Sequence, residues 1–456
     1  MRLLVECTYV YDNPHMNSGI QRVVRNIITK LNDTQHKTDA VPVIFKNNKI
    51  YEVKRLSPDS FSMYIGNRIQ SKLVRGRRRY WLYYEKIEQI WPFNQNPKIY
   101  SSLASLCKIG DASILLLIYF ISRLCQIGEI GKRIDKLSVR PGDVLVLLDS
   151  SWHSDLLEKA RKLKTQGVSI VAVIYDLIPL THPQFCDENL VAVFQRWFRW
   201  VGENADGFMA ISMTIRDQVH AYVVQNRPET KSDQWFDYFH LGSELDLAEK
   251  NGEVREHVQK LFQNDAPIYL MVGTIEPRKN HGYLLDAFDI LWQNDVNVSL
   301  CFVGKVGWKC QALMKRVEMH RELKRHLFML EDLSDTELEY CYRKSRSLVF
   351  PASVEGFGLP LVEAMQRGLP VMASDIPVFR EVGGDFISYF DLEKPETLAA
   401  LILQYEKSGE FPSSRNIKEW SWLNWEDSAK QFLTRIVSHT IQSGVEMRSK
   451  SKSMSA

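Results

Sequence analysis

Two glutamates eight positions apart, Glu355 and Glu363, offer the clearest chemistry in the sequence. They lie in SLVFPASVEGFGLPLVEAMQRGLPVMASD, where a strand, a loop with two glycines, a helix and a second strand follow one another. Gly356 and Gly358 allow a sharp turn and a close approach to a ligand. The helix that follows offers N–H groups and a positive dipole end, which suit a diphosphate. Glu355 can accept hydrogen bonds from sugar hydroxyls while Glu363 reaches a neighbouring part of the ligand, as carboxylates do at a ribose diol. Alternatively, the two glutamates could be only a helix cap and a surface charge. The glycines, the proline and the flanking strands argue against that interpretation.

A second pattern, YLMVGTIEPRKNHGYLLDAF, places Arg278 and Lys279 in the loop after a strand that ends at Gly273. Two cations at the carboxyl end of a strand can neutralise a leaving diphosphate, because arginine offers a planar fork and lysine a point charge. The alternative is a solvated charged turn in which Asn280 caps the next helix. The glutamate motif favours phosphate binding over that alternative.

Further candidates follow other strands. Gly19 precedes an amphipathic helix and permits close approach of a phosphate or acceptor, and Arg22 lies in the first turns of that helix. Asp176 stands at the end of SIVAVIYD. His153 and His182 are candidates by position alone, since a lone histidine is more often structural.

The elements that must position these residues are short apolar runs that alternate with helical patterns, which predicts buried strands of parallel sheets. The runs of the first set are RLLVECTYV, DVLVLLD, SIVAVIYD and GFMAIS. The runs of the second set are PIYLMVGTI, SLCFVGKV, HLFML, SLVFPAS and PVMASD. Two such sets, separated near residues 245 to 265, predict an α/β protein with two doubly wound domains. Because ligands sit outside the carboxyl ends of parallel strands, the candidate residues should line a cleft between the sheets. Capping of helices is the alternative for any single residue among them.

These motifs resemble the retaining glycosyltransferases of family 4, which have two Rossmann-like domains in the GT-B arrangement. The E-x7-E pattern is carried by Glu355 and Glu363, and the resemblance covers nearly the whole chain apart from an insertion and the tail. It implies that Glu355 contacts the donor sugar and Glu363 the ribose. It also implies backbone contacts to sugar and phosphate from Gly356, Phe357, Gly358 and Leu359.

The resemblance implies that Arg278 and Lys279 bind the donor phosphates and that the loop at Gly19 approaches them from the opposite domain. Backbone groups near residues 328–330 are implied to read the base. Many members have His-Asp where this chain has Tyr175 and Asp176, which leaves the replacement for that histidine open. The sequence GTIEPRKN is similar to that of bacterial mannosyltransferases of O-antigen and exopolysaccharide assembly.

We expect an N-terminal acceptor-side domain over 1–250 and a C-terminal nucleotide-sugar domain over 251–420. A helix over 421–445 should pack back toward the N-terminal domain, and a polar tail over 446–456 should be disordered.

One insertion, at about 66–140, breaks the pattern with fourteen Lys or Arg against five acids, a net charge of +9. It contains RGRRRYWLYY and the apolar stretch ILLLIYFISRLC. Basic and aromatic residues beside an apolar helix suit an anionic membrane surface, and a helical insertion that packs on the fold is the alternative.

Composition excludes several classes of protein. The net charge of +3 argues against a nucleic-acid partner, and seven scattered cysteines without a CxxC pair argue against a disulfide framework or a zinc site. The N-terminus reads as a strand, and no run reaches the roughly 18–20 apolar residues of a membrane span. We therefore expect a cytoplasmic protein, peripheral on the inner face of the membrane if the insertion binds lipid.

The predicted activity is metal-independent, retaining transfer of a hexose, with mannose from GDP-mannose as the first choice, and it needs no cofactor. The acceptor would be a glycan or a lipid-linked saccharide in surface polysaccharide synthesis. A glycosidase also uses two carboxylates, but it has no need of a phosphate site. A non-catalytic sugar-nucleotide sensor and a nucleotide-sugar epimerase are the competing functions, and other donor sugars stay open.

Overall fold

A computed structural model of the 456-residue chain describes residues 1–13, 19–33, 39–46, 49–54, 56, 73, 76–77, 80–81, 97–127, 134–152, 154–226, 234–245, 252–263 and 265–453. The chain divides into two compact units. The larger unit comprises Met1–Glu6, Ser18–Ala40 and Val139–Ala456, and the smaller comprises Cys7–Asn17 and Val41–Ser138.

The strands of the described chain are β1 Arg2–Glu6, β2 Asp39–Lys46, β3 Lys49–Val53, β4 Ile134–Lys136, β5 Val144–Leu147, β6 Ser169–Ile174, β7 Gly207–Ala210, β8 Trp235–Tyr238, β9 Ile268–Val272, β10 Ser299–Val303, β11 Leu327–Leu330, β12 Ser347–Phe350, β13 Val371–Ser374 and β14 Ser388–Phe390. The α-helices are α1 Thr8–Asp12, α2 Gly19–Asp33, α3 Pro97–Ile127, α4 Ser154–Lys164, α5 Ile178–Thr181, α6 Glu188–Asn204, α7 Met213–Asn226, α8 Glu256–Leu261, α9 His281–Gln293, α10 Gln311–Glu318, α11 Asp335–Lys344, α12 Leu359–Gln366, α13 Pro377–Gly383, α14 Pro395–Ser408 and α15 Trp425–Ser453.

The larger unit contains two parallel sheets. In the first, which we call the N-terminal sheet, β1, β5, β6, β7 and β8 pair in that order. In the second, the C-terminal sheet, the order is β11-β10-β9-β12-β13-β14. Strands such as β5, β9 and β10 are buried along their whole length, as expected for apolar runs in parallel sheets that helices cover. The predicted α/β fold with two Rossmann-like sheets is confirmed.

The C-terminal sheet follows the Rossmann order, because its first strand, β9, lies between its second strand, β10, and its fourth, β12. The strand order reverses between β9 and β12, and ligands of open α/β sheets bind at such a switch point. Arg278 and Lys279 follow β9, and Glu355 follows β12. The topology therefore places both predicted motifs at the switch point of one sheet.

The helix after the second motif, α12, begins directly behind Gly358. This glycine has a φ of +96°, and a Cβ added to it would lie 2.8 Å from a ring carbon of Phe379. A side chain would be both strained and crowded there, so glycine is required at the helix start. The preceding helix, α11, begins with a capping box in which Ser334 and Glu337 each bond to the other's backbone N–H.

The last helix, α15, packs on α2 and against β8 of the N-terminal sheet. The segment before it is bonded to the chain that leaves the N-terminal sheet: the Trp422 indole donates to the carbonyl of Leu241 at 2.8 Å. The Trp425 indole also donates to the carbonyl of Glu244, at 3.0 Å. The helix continues to Ser453, past the predicted end at 445, and includes Gly444.

The smaller unit holds an antiparallel arrangement of β2, β3 and β4, together with α1 and the long helix α3. On α3, Asp111 accepts hydrogen bonds from Arg77 at 2.9 Å and from the Trp81 indole at 2.9 Å. Arg75, Arg78 and Arg79 of the predicted basic block lie outside the described residues. In the part of the chain that the structure describes, no helix is both long and apolar enough to cross a bilayer.

Candidate active site

The two motifs meet in a cluster of charged side chains centred on Arg278. Its Nη1 lies 2.6 Å from Oε1 of Glu355, and its Nη2 lies 2.6 Å from Oε1 of Glu276. The Lys279 ammonium forms an ion pair with the same oxygen of Glu355. Both predicted phosphate-binding cations therefore converge on the first glutamate of the E-x7-E pattern.

Local backbone structure holds the cations in place. Residues Pro277–Lys279 form a 3-10 turn, and the Ser353 N–H donates to the carbonyl of Arg278 at 2.8 Å. The Lys279 ammonium lies 4.7 Å from the centre of the Phe350 ring, at the end of β12. These contacts fix the loop after β9 against the loop after β12.

Burial and the neighbouring charges shift the pKa values of the side chains in this cluster. Burial raises the pKa of both Glu276 and Asp176 above the usual range. Burial alone would raise the pKa of Glu355 too, but Arg278 and Lys279 hold it below its ordinary value. Burial lowers the pKa of Lys279, whereas the surrounding carboxylates outweigh burial at Arg278 and raise its pKa. At neutral pH the cluster thus holds a cationic Arg278 beside the ionised carboxylate of Glu355.

The end of β6 reaches this cluster through a backbone contact. A Cβ added to Gly356 would lie 2.0 Å from the carbonyl oxygen of Tyr175 and 3.3 Å from Cβ of Asp176. The hydroxyl of Ser212 donates to the carbonyl of Gly356 at 2.9 Å. Only glycine fits between these groups, and the fit brings Asp176 next to the glutamate motif. Oδ1 of Asp176 accepts a hydrogen bond from the Ile178 N–H at 2.9 Å.

Tyr175 stands where many members of the resembling family have histidine. Its hydroxyl donates to the carbonyl of Leu148 at 2.7 Å, within the N-terminal sheet. The phenol is therefore directed away from the motif loop, and Tyr175 meets that loop through its carbonyl oxygen. What takes the place of the family histidine stays open, since the Tyr175 hydroxyl is bonded within the N-terminal sheet.

The second glutamate, Glu363, is buried on α12 and has two partners. Arg22 of α2 forms an ion pair with its Oε1, and the Tyr342 hydroxyl donates to its Oε2 at 2.7 Å. At the start of α2, a Cβ on Gly19 would lie 3.7 Å from the side chain of Leu359, the first residue of α12. The structure thus brings Gly19 and Arg22 to the helix start that the sequence assigned to the diphosphate.

Phe357, between the two glycines, is buried 6.1 Å from the ring of His240 and 5.9 Å from that of Trp422. His240 Nε2 lies 2.8 Å from Oε1 of Glu381, which also accepts from the Met213 N–H at 2.7 Å. Glu381 belongs to α13 and caps the start of α7, so this group joins the two sheets outside the charged cluster.

The remaining candidates are dispersed. His182 is stacked on Phe185, with 6.0 Å between ring centres, and His153 lies outside the described residues. Residues 328–330 belong to β11, the edge strand beside β10, and their contact with a base stays a prediction. Sequence reasoning missed Glu276 and Tyr342. Glu276 stood two residues before Arg278, where an acid beside a cation was a usable signal.

Residues 253–419, which include the charged cluster and α12, match the family of glycosyl transferases group 1. The chain is also similar to the serotype-specific mannosyltransferase WbdA of Escherichia coli, with 34% identity over 304 residues. That alignment covers 64% of this chain and 37% of WbdA, so the chain spans little more than a third of that relative. The O-antigen chain mannosyltransferase B of Escherichia coli is 32% identical over 166 residues, covering 36% of this chain and 43% of that one.

Solved structures share the fold of this chain. Anabaena HepE, crystallised with UDP and glucose, aligns with a TM-score of 0.50 at 13% identity and covers 98% of this chain and 100% of its own. The sucrose-phosphate synthase of Thermosynechococcus elongatus aligns with a TM-score of 0.52 at 15% identity, covering 99% and 100%. At such identities the likeness shows the fold alone, and it confirms the predicted GT-B arrangement.

Proposed function

We propose that the protein is a retaining, metal-independent glycosyltransferase that moves a hexose from a nucleotide sugar to a glycan or a lipid-linked saccharide. One observation carries the proposal: Arg278 and Lys279 converge on Glu355 at the switch point of the C-terminal sheet, beside the start of α12. This arrangement supplies cations and N–H donors where a leaving diphosphate needs them.

In the proposed reaction the donor diphosphate replaces Glu355 as the partner of Arg278 and Lys279. The displaced carboxylate then accepts hydrogen bonds from the hydroxyls of the transferred hexose, and Glu363 takes the ribose. The bond from the anomeric carbon to the phosphate oxygen breaks as the acceptor hydroxyl attacks on the same face. The leaving phosphate accepts the proton of that hydroxyl. The cations stabilise the phosphate charge as it develops, which is the usual source of rate enhancement in such sites.

The proposed donor is GDP-mannose. The relatives named mannosyltransferases favour mannose, and their O-antigen titles favour a surface polysaccharide as the product. HepE holds UDP and glucose, so UDP-sugars belong in the same test.

A donor panel tests the proposal. Nucleotide release is measured with GDP-mannose, UDP-glucose, UDP-galactose, UDP-N-acetylglucosamine and dTDP-rhamnose, in the presence of a lipid-linked mannosyl acceptor. Lys279→Met keeps the length of the side chain and removes its charge, and we expect it to lower kcat about 100- to 1000-fold. Lys260→Met, an exposed lysine on α8, is the matched control and should be unchanged. Equal rates in both variants would contradict the phosphate role of Lys279.

Two further measurements address the mechanism. NMR of the first-formed product should show the anomeric configuration of the donor, since the transfer is retaining. EDTA should leave the rate unchanged, because the two cations do the work of a divalent ion. Inversion, or a loss of activity that Mg²⁺ or Mn²⁺ restores, would refute the corresponding part. Nucleotide binding without release would favour a sensor, and an epimerised sugar nucleotide without acceptor would favour an epimerase.

We also propose that α3 docks on an anionic membrane surface at the cytoplasmic face. Leu106, Ile109, Leu116 and Phe120 are 66%, 63%, 68% and 57% exposed, and we call them the apolar face of α3. The surrounding insertion carries a net charge of +9, which would attract anionic lipid to that face.

Vesicle sedimentation tests the docking. Wild-type protein should bind vesicles that contain phosphatidylglycerol and bind neutral vesicles weakly. Leu116→Asp with Phe120→Asp should abolish binding, whereas Met319→Asp, which changes a methionine that is 75% exposed in the C-terminal domain, should not. Unchanged sedimentation of the double variant would refute the proposal. A dimer in light scattering that the double variant dissociates would instead show that a second copy covers the face.

A further inference from the structure

Two residues of the loop after β10 bond to the chain segment that follows β6, in a contact that no predicted motif covers. The Trp308 indole donates to the carbonyl of Phe185 at 2.6 Å. The Lys309 ammonium donates to the carbonyl of Gln184 at 3.0 Å and to that of Cys186 at 2.8 Å. Two successive side chains of the C-terminal domain thus bond three successive carbonyls of the N-terminal one. We call these three hydrogen bonds the clasp.

The carbonyls of the clasp belong to the 3-10 turn Pro183–Phe185 and to the residue after it. Carbonyls at the end of a helical turn have no partner within that turn and carry a partial negative charge, so a cation is favoured there. Only the short helix α5 separates this turn from Asp176. The Asp176 carboxylate bonds to the N–H of Ile178, the first residue of α5. Asp176 and the turn are therefore parts of one short, internally bonded segment.

The loop that supplies the donors of the clasp is fixed to the loop that carries the phosphate-binding cations. The Gly307 N–H donates to the carbonyl of Ile275 at 2.8 Å, and the Ile275 N–H donates to the carbonyl of Lys305 at 2.8 Å. A Cβ added to Gly307 would lie 2.8 Å from the same Ile275 oxygen, so the two loops are in close contact. Ile275 directly precedes Glu276, the ion-pair partner of Arg278. The clasp thus connects the turn after α5 to the cation loop.

The backbone and the exposure of Lys309 indicate a contact that can open. Lys309 has a φ of +55°, a left-handed conformation that glycine adopts freely and that residues with a Cβ adopt with strain. The hydrogen bonds of its ammonium offset that strain, and glycine could not make them. Lys309 and Trp308 are both exposed. Exposed contacts of a charged side chain contribute little free energy each, so the clasp can break while the core stays folded.

The clasp lies at the edge of the charged cluster. Trp308 lines a cavity of about 120 Å³ together with Asp176, Cys186, Glu276 and Arg278. Asp176 and Cys186 come from the segment after β6, whereas the other three come from loops of the C-terminal sheet. Opening of the clasp would let the two walls of this cavity separate, and Asp176 would move away from the cation loop.

We infer that Trp308 and Lys309 are positioning residues, which hold Asp176 beside the cation loop by clasping the turn that follows it. The inference rests on the proposed glycosyl transfer and adds to it how the two halves of the site are kept together. Neither side chain has a place on the donor in the proposed reaction. Their contribution is to the fraction of molecules in which the site is assembled, and apparent affinity falls in proportion to that fraction.

The thiol of Cys186 reports opening of the clasp without any substrate. Cys186 is 5% exposed, and its carbonyl accepts a hydrogen bond from Lys309. Alkylation of the full chain by iodoacetamide is followed at each cysteine by mass spectrometry. In Lys309→Met we expect alkylation of Cys186 to be about three- to tenfold faster than in the wild type, as for the loss of exposed hydrogen bonds from a cation. Cys301 and Cys341 are fully buried in the C-terminal domain and should keep the wild-type rate, which excludes global unfolding as the cause.

Matched variants separate the side chain from the backbone. Lys309→Arg keeps the charge and the donors and should restore slow alkylation. Lys309→Gly suits the left-handed backbone but lacks the donors, so it should react as fast as Lys309→Met. Trp308→Phe keeps a ring and removes the indole N–H, and it should also speed alkylation of Cys186. Lys315→Met, which changes an exposed lysine on α10, is the control and should match the wild type.

Kinetics separates positioning from direct contact with the donor. With the donor that the panel identifies, Lys309→Met should raise KM for the donor about three- to tenfold and keep kcat, because saturating donor reassembles the site. A fall in kcat like that expected for Lys279→Met would overturn the inference, because it would place Lys309 on the leaving diphosphate. Equal alkylation of Cys186 in Lys309→Met and the wild type would overturn it too. Faster alkylation in Lys309→Met supports the clasp even if no donor in the panel is turned over.

Discussion

Replacing Arg278 by alanine should destabilise the protein as well as inactivate it. Glu276 is 3% exposed, and Arg278 supplies its charge partner at 2.6 Å. Arg278 also pairs with Glu355, whose other cation is Lys279. Truncating Arg278 would leave the Glu276 carboxylate buried without its cation, whereas Glu355 would keep one. Removing one partner of a buried ion pair costs about 3–5 kcal/mol.

That loss is large beside a typical free energy of unfolding of about 5–15 kcal/mol. For a domain of about 150–250 residues it corresponds to a fall in Tm of about 6–20 °C. Circular dichroism at neutral pH measures the fall. Arg380→Ala is the control, because Arg380 pairs with Asp375 at 2.7 Å on the surface, where such a pair contributes about 0–1 kcal/mol.

A second substitution shows whether the buried charge is the cause. Glu276→Gln keeps the volume of the side chain and removes its charge. In the Arg278→Ala background it should recover a large part of the lost Tm, while nucleotide release stays low because the phosphate partner is still missing. A Tm of Arg278→Ala equal to that of the wild type would refute the reasoning, and so would a double variant that melts no higher than the single one.

Three other predictions concern neighbouring groups. Gly356→Ala would place a Cβ 2.0 Å from the Tyr175 carbonyl oxygen and shift the motif loop. In a nucleotide-release assay kcat/KM should therefore fall about 100-fold. A near-normal kcat/KM would contradict the need for this close contact. Burial lowers the pKa of His281 to about 3, so the folded protein does not take up the proton that the unfolded chain binds below about pH 6.5, and the free energy of unfolding should fall as the pH drops. Between pH 7 and 5, urea titrations of His281→Phe should show about 2 kcal/mol less loss of stability than the wild type. Equal pH dependence of stability in the two proteins would exclude His281 as the source. Tyr342→Phe removes the hydrogen bond to Glu363 and should raise KM for the donor about tenfold with kcat retained; an unchanged KM would argue against ribose binding by Glu363.

The strands that carry the site were predictable because each is a run of apolar residues buried on both faces. SIVAVI at β6 and IYLMV at β9 are such runs. The strands β3 and β8 were not predicted, since KIYEV and WFDY mix polar and apolar residues at short length. Their formation depends on pairing with other strands, which the local sequence pattern does not reveal.

The composition of the site was partly predictable, and its connections were not. Glu355 and Glu363 lie close together in the sequence, as do Arg278 and Lys279, so both pairs could be recognised as motifs. The ion pair of Glu363 with Arg22 joins residues that are 341 positions apart, and no periodicity encodes it.

The bonded chain segments near Leu241 and Trp422 have a consequence for motion. They are the places where the backbone passes between the two sheets, and the indoles of Trp422 and Trp425 tie them side by side. Because two adjacent crossings are tied together, we expect the sheets to move relative to each other by rotation about this region. Such a rotation would separate Gly356 from Tyr175 and so part the motif loop from the end of β6. If the proposed transfer takes place there, release of the nucleotide would be coupled to this separation.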